Sequence, residues 1–124
     1  RKDKKNTGMP FVIAVNYGSR DEITRAVRKI MTDVENGKIA PEDMTEKVFA
    51  SYLDTAGIPD PDLMIRTSGE LRLSNYLLWQ LAYSELYVTE CLWPDFNKEE
   101  LLNAIRQYNK RERRFGGVTA VKTE

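Results

Sequence analysis

Three short runs of mainly apolar and β-branched residues occur in the sequence, and segments with helical periodicity separate them. These runs are residues 11–16, 62–67 and 85–89. A nearly continuous apolar run flanked by turn residues is typical of a strand that is covered on both faces. Strands that alternate with helices pair in parallel through right-handed crossovers. The pattern therefore predicts an α/β fold, with a parallel sheet between helices in α/β/α layers and one apolar face or edge left open.

The two longest helical patterns begin with capping signals. Ser19 stands three residues before Glu22 as in a capping box, and apolar residues then recur at helical spacing until Gly37. Asn97 and Glu100 form a similar start for a helix that ends among the arginines of residues 111–114. Helices are therefore predicted over residues 19–37 and from residue 97 onward.

Two shorter patterns predict further helices. Residues 46–53 follow the possible cap Thr45 and place their apolar side chains on one face. Ser74 and Asn75 can cap a helix over residues 76–82, which is apolar on nearly all sides. We therefore expect the second of these helices to be buried.

Charge and residue types exclude several kinds of function. Basic and acidic residues both number 19, so no net field draws the chain to nucleic acid. The absence of histidine excludes imidazole bases and histidine metal sites, and a lone cysteine, Cys91, suits a reducing compartment. No apolar run approaches the about 18 residues of a membrane span. These features predict a soluble, cytoplasmic protein.

Residues that suit an anion follow the second predicted strand, where parallel sheets bind their ligands. Arg66 and Arg72 offer planar donor forks, Gly69 lets a backbone approach a ligand, and Ser74 stands at a helix start. Asn16, after the first strand, is another candidate, although an asparagine in a turn is more often structural. The composition indicates a diphosphate site.

Structural roles for the same residues remain open at this point. Arg66 and Arg72 could pair with Glu70 and Glu85 as an ion-pair network, and Ser74 could be only a helix cap. Glu85 lies among apolar neighbours, so its carboxylate requires a cation or an arginine. That partner could be a metal ion or Arg66.

The segment DLMIRTSGELRLSNYLLWQ, residues 62–80, closely resembles the signature of the cis-prenyltransferases. The likeness continues through residues 13–20, 82–87, 92–96 and 111–117. It thus covers nearly the whole chain from Thr7 to Gly117.

The resemblance implies the fold of undecaprenyl diphosphate synthase and the activity of its family. That family condenses an allylic diphosphate, typically farnesyl diphosphate, with successive isopentenyl diphosphates, and magnesium is its cofactor. The product is a long Z-polyprenyl diphosphate, the precursor of a cell-wall carrier lipid. We accordingly expect a cytoplasmic homodimer whose intact form works at the inner face of the membrane.

Individual residues take roles from the same resemblance. Arg66, Arg72 and Ser74 match residues that hold isopentenyl diphosphate, and Asn16 belongs to the matching first loop. Glu85 matches a magnesium-linked glutamate, and Glu70 is an acidic residue of the same motif. These matches imply a binding site with Glu70 and Glu85 as its catalytic carboxylates.

Two other matches concern the ends of the chain. Arg114 and Gly116 resemble an Arg-x-Gly motif that reaches the diphosphate site of the partner subunit. The apolar residues of the first predicted strand match a strand that lines the product tunnel: Met9, Phe11, Ile13 and Val15.

One motif of the family does not occur in this sequence. It is Asp-Gly-Asn-Gly-Arg-Trp, whose aspartate assists magnesium and whose loop holds the allylic diphosphate. We therefore interpret residues 1–117 as the carboxyl-terminal part of one cis-prenyltransferase domain, followed by a flexible tail at 118–124. The chain is expected to carry the isopentenyl diphosphate site and to be inactive alone.

Two alternatives belong to other functional classes. One is a non-catalytic subunit that lends its carboxyl-terminal motif to a catalytic partner, which the retained Arg66, Arg72, Ser74 and Glu85 disfavour. The other is a plain diphosphate-binding module, which leaves the match over residues 92–117 unexplained.

Overall fold

The computed structural model describes residues 8–111, so Arg114, Gly116 and the predicted tail at 118–124 lie outside the described residues. Within this range, no helix is long and apolar enough to cross a membrane. The helices and strands are α1 Ser19–Glu35, α2 Glu46–Ala50, β1 Leu63–Arg66, β2 Glu85–Val88 and α3 Lys98–Asn109, with short 3₁₀ turns at Pro41–Asp43 and Trp93–Asp95.

β1 and β2 form a parallel pair, as the alternation of strands and helices predicted. Leu63 is aligned with Glu85, and Arg66 is aligned with Val88. Helix α3 lies against β2, so the connection from β2 leads directly onto the sheet. The carboxyl end of β1 leads into residues 66–75, the arginine loop, which contains Arg66 and Arg72. This is the position expected for a ligand site.

The strand predicted at residues 11–16 is wrong for the described part of the chain. This segment joins neither β1 nor β2, and Phe11 and Val15 are 84% and 81% exposed. A strand requires a neighbour for its backbone hydrogen bonds, and apolar composition does not show whether that neighbour is present. The expected open apolar surface is present here, and Met9 and Ile13 belong to it.

The helix predicted over residues 76–82 is also wrong, because the segment consists of turns. Ser74, Asn75 and Leu77 have φ angles of 50°, 62° and 47°, in the left-handed region that a right-handed helix cannot use. One helix-like hydrogen bond, from Leu81 N to Leu77 O, is present. Nor is the segment uniformly buried, since Tyr76 is 40% exposed.

The buried interior of the described residues is small, and polar groups supply much of it. Its buried apolar side chains are Ala26, Leu53, Met64 and Ala104. The largest fully buried side chains are instead Gln80, Glu22 and Ser19. Buried polar groups remain stable only when they are hydrogen-bonded, so this interior depends on specific partners.

Glu22 and Ser19 do not form the predicted capping box. The N-cap of α1 is Gly18, which has no side chain to accept a hydrogen bond. The Glu22 carboxylate accepts hydrogen bonds from the Tyr17 hydroxyl, the Asp54 backbone N–H and Gln80 Nε2. Tertiary donors have thus replaced the local donors that the capping box would use.

The caps predicted for the other two helices are confirmed. Thr45 Oγ1 accepts from the N–H of Val48 at the start of α2. Asn97 Oδ1 accepts from the N–H groups of Glu99 and Glu100 at the start of α3. The side chain of Glu100 does not complete a capping box, since it accepts from Thr89 Oγ1.

Replacing Glu22 with alanine should destabilise the chain strongly, because the Tyr17 hydroxyl and the Asp54 N–H would lose their acceptor in partly buried positions, and Gln80 Nε2 would be left with Thr55 Oγ1. We expect the free energy of unfolding to fall by at least about 2 kcal/mol, since each buried unsatisfied donor costs roughly 1–3 kcal/mol. The neighbouring variant Asp21→Ala is the control: this carboxylate pairs with Arg25 in an exposed ion pair, so its loss should cost less than about 1 kcal/mol. Equal losses in urea unfolding would contradict the assignment.

Candidate anion-binding site

The loop that leaves β1 turns sharply and is held against the end of β2. Ser68 and Gly69 have φ angles of 65° and 64°. Their N–H groups donate to the carbonyl oxygens of Cys91 and Thr89 at 3.0 and 2.9 Å. These two amides therefore stabilise the loop and are not the free donors that the sequence suggested, so an anion here would be bound by side chains.

Arg66 and Ser74 come together at this loop, as predicted. Arg66 Nη2 donates to Ser74 Oγ over 3.4 Å, a long and weak hydrogen bond. Arg66 Nε is buried and has no hydrogen-bond partner among the described residues. A guanidinium presents five donors, and a buried donor without an acceptor costs free energy. Arg66 Nε is thus an unused donor near the Ser74 hydroxyl, and a phosphate oxygen could accept hydrogen bonds from both groups.

Arg72 contacts Glu70 rather than Arg66 or Ser74. Its Nη1 lies 2.6 Å from Glu70 Oε2, and the arginine side chain is 66% exposed. One of the predicted ion pairs is thus present. An exposed pair contributes only about 0–1 kcal/mol, so an incoming anion could draw this guanidinium away at small cost.

Glu85 pairs with Arg111, a partner that the sequence analysis did not consider. Arg111 Nη1 donates to Glu85 Oε2 at 2.6 Å and to the Leu86 carbonyl oxygen at 3.0 Å. Glu85 is aligned with Leu63, three residues before Arg66, which places it about 10 Å from Arg66 along the strands. Glu85 therefore lies at the opposite end of the strand pair from the Arg66–Ser74 contact.

Within residues 8–111, no three histidine, cysteine, aspartate or glutamate side chains are grouped closely enough to hold a metal ion. Magnesium in proteins commonly uses one or two carboxylates and completes its shell with water and substrate phosphates. Glu85 fits that requirement as a single carboxylate ligand, provided that Arg111 releases it.

The start of α1 lies against the loop that follows β1. Ser19 N donates to the Asn75 carbonyl oxygen at 2.8 Å, and Leu78 N donates to Ser19 Oγ at 3.0 Å. The loop before α1 and the loop after β1 therefore meet, although residues 11–16 form no strand with the other described residues. Asn16 itself is exposed, with φ at 53°.

Two residues that support this site had no predicted role, Tyr17 and Gln80, and Asn75 caps α1 rather than the helix predicted at residues 76–82. The ring of Tyr17 packs edge-on against Tyr76, with centroids 5.6 Å apart. Gln80 interrupts an apolar run, and a polar residue at such a position is a signal of a buried hydrogen bond.

Burial, together with the hydrogen bond to Glu22, raises the pKa of Tyr17 to about 12. This phenol ionises near pH 10 in the unfolded chain, so the folded state should lose stability as the pH rises from about 10 to about 12. Tyr17→Phe should remove this alkaline loss of stability. Unfolding curves over the same pH range would measure the loss, and ultraviolet absorbance of phenolate would follow the ionisation. Identical alkaline titrations of the two proteins would contradict this expectation.

The sequence is similar to those of known proteins over most of its length. Residues 1–116 match the model of a family described as "Putative undecaprenyl diphosphate synthase". An isoprenyl transferase of Geobacillus kaustophilus (strain HTA426) is 60% identical over 115 residues, which are 93% of this chain and 45% of that protein. One from Rhizobium meliloti (strain 1021) is 60% identical over 114 residues, 92% of this chain and 46% of that protein. The chain spans about half the length of the curated relatives it matches.

The fold is similar to a crystal structure of lavandulyl diphosphate synthase from Lavandula x intermedia, in complex with dimethylallyl diphosphate. The TM-score is 0.86 at 47% identity, over 90% of this chain and 48% of that one. This likeness confirms the predicted α/β fold. With the family match over residues 1–116 and 60% identity to isoprenyl transferases, the chain belongs to the cis-prenyltransferase family.

Proposed function

We propose that the polypeptide carrying this sequence condenses isopentenyl diphosphate with an allylic diphosphate such as farnesyl diphosphate. The product would be a long Z-polyprenyl diphosphate that serves as precursor of a cell-wall carrier lipid. In this proposal the described residues form the isopentenyl diphosphate site. The observation that carries it is the unpartnered Nε of Arg66, buried beside Ser74 Oγ at the carboxyl end of β1.

The chemistry of a diphosphate suits this arrangement. Its oxygens accept several charge-assisted hydrogen bonds, and arginine forks provide such donors in a plane. Arg66 would donate from its unused Nε, Ser74 from its hydroxyl, and Arg72 after leaving Glu70. Support comes also from the similar plant synthase, whose crystal structure holds dimethylallyl diphosphate.

Magnesium would neutralise diphosphate charge when it is bound, and Glu85 is the described residue that we propose as its ligand. The register of the strands places Glu85 away from Arg66 of the same chain. Glu85 would therefore serve a diphosphate that approaches from the Arg111 side.

Other parts of the proposal concern residues beyond the described range. Arg114 and Gly116 would complete a diphosphate site of the partner subunit in a homodimer, as their motif implies. The allylic diphosphate requires an Asp-Gly-Asn-Gly-Arg-Trp loop, which these 124 residues do not contain. We therefore propose that the chain alone does not turn over, and that the intact cytoplasmic enzyme contacts the membrane surface where its product is used.

Arg72→Ala should weaken the binding of isopentenyl diphosphate selectively. In the polypeptide that carries this sequence, its KM for isopentenyl diphosphate should rise about tenfold or more, the effect of losing one charge-assisted hydrogen bond. The KM for farnesyl diphosphate should change less than about twofold. Steady-state kinetics with each substrate varied in turn would measure both values.

Arg106→Ala is the matched control, because Arg106 is an exposed arginine of α3 whose Nη1 donates to Asn103 Oδ1. It should leave both KM values unchanged. Equal rises for the two substrates in Arg72→Ala would defeat the assignment of Arg72 to isopentenyl diphosphate.

Glu85→Ala should raise the magnesium concentration needed for half-maximal turnover and leave the fold intact. The Glu85–Arg111 pair is partly exposed, so its loss should cost less than about 1 kcal/mol of unfolding free energy. Activity measured over a magnesium series, beside thermal unfolding, tests both statements. If the variant unfolds instead, Glu85 is a structural member of an ion pair.

A further inference from the structure

Helix α1 is capped by a residue from a distant part of the chain. Its own N-cap, Gly18, provides no side-chain acceptor. The N–H of Ser19 donates to the Asn75 carbonyl oxygen at 2.8 Å, and the N–H of Arg20 donates to Asn75 Oδ1 at 2.9 Å. The first N–H groups of a helix need such acceptors, and asparagine is among the residues best suited to supply them. Asn75 thus does for α1 what a local N-cap residue does for other helices.

Helix α1 in turn stabilises the loop that contains Asn75. Leu78 N donates to the hydroxyl of Ser19, which is fully buried. Asn75 and Leu77 are in the left-handed region, so the loop lacks the hydrogen bonds of a helix over its own residues. A non-glycine backbone stays in that region where its surroundings hold it there. The start of α1 is the surrounding structure that holds this loop.

Gly18 permits the close approach of the two segments. A Cβ atom at this position would lie 2.9 Å from Asn75 Nδ2, which is closer than real Cβ contacts come. Its φ of −145° is accessible to any residue, so the requirement for glycine is steric. The space left by the missing side chain is the space that the Asn75 amide occupies.

Ser74 directly precedes Asn75, and its Oγ lies 3.4 Å from Arg66 Nη2. Any shift of Asn75 along the start of α1 moves this hydroxyl relative to the unpartnered Arg66 Nε. We propose that Asn75 is a positioning residue: by capping α1 it holds Ser74 beside Arg66 in a geometry that accepts a diphosphate. This inference rests on the proposed function, which assigns the diphosphate to Arg66 and Ser74.

The chain offers a matched control for this role. Asn97 caps α3 with the same chemistry, through Oδ1 and the N–H groups of Glu99 and Glu100. Asn75→Ala and Asn97→Ala therefore each remove an asparagine cap, and both should lower the thermal unfolding midpoint by similar amounts. Only the first of them removes a cap that is joined to the arginine loop.

The test measures the affinity for inorganic pyrophosphate by calorimetry and amide hydrogen exchange by NMR, in the full chain. Asn75→Ala should lower the affinity about tenfold and speed exchange at Arg20, whose N–H loses its Oδ1 acceptor. Asn97→Ala should change neither. If both variants lose affinity equally, or if Asn75→Ala loses none, Asn75 is only a helix cap and the inference is overturned.

Two further variants guard against an unfolded Asn75→Ala protein. Asn75→Asp keeps the acceptor oxygen and should retain the slow exchange at Arg20. Gly18→Ala should speed that exchange, and should do so much less in an Asn75→Ala background, because the crowded amide is then absent. Additive effects of the two substitutions would contradict the contact.

Failure of the proposed function gives a different result. It would appear as no binding of pyrophosphate to the unsubstituted chain, or as equal binding to Arg66→Ala. The exchange data then still test the contact on which the inference rests: faster exchange confined to Asn75→Ala and Gly18→Ala supports the capping of α1 by Asn75, and unchanged exchange overturns the inference.

Discussion

The carboxylate of Glu22 is the interaction on which the described structure most depends. It is 1% exposed and accepts hydrogen bonds from Tyr17, from the backbone of Asp54 and from Gln80. These donors come from the segment before α1, the turn after α2 and the irregular segment that precedes β2. A buried carboxylate that is fully hydrogen-bonded fixes its partners in one arrangement, whereas apolar side chains of similar volume tolerate several.

That network has a direct consequence for the candidate site. Hydrogen bonds of Gln80 and Leu78 join the irregular segment to α1. Asn75, the residue next to Ser74, is also hydrogen-bonded to α1. Arg25 adds an ion pair from α1 to Asp54, which lowers the pKa of that aspartate. The arginine loop is thus supported from a helix that is remote in sequence, and binding geometry depends on such support.

Local patterns were sufficient for the elements whose stabilising contacts are close in sequence. The long helix and the caps Thr45 and Asn97 follow from apolar periodicity and from acceptors two or three residues away. The parallel pairing of β1 with β2 joins residues that are distant in sequence, and it was predicted instead from the alternation of strands with helices. The contact between Arg66 and Ser74 was also predictable, because the two residues are only eight positions apart. The pairing of Glu85 with Arg111 was not, since the two are 26 positions apart and all of α3 lies between them.

Residue order alone determined the family, the parallel α/β class and the composition of the arginine loop. Tertiary structure decided which helix Asn75 caps, whether residues 11–16 form a strand and where Glu22 finds its donors. In each case the same side chain or backbone group could bond equally well to a neighbour or to a distant partner. Hydrogen bonds between distant segments replaced local ones where burial removed water as the alternative partner, and no spacing in the sequence records that choice.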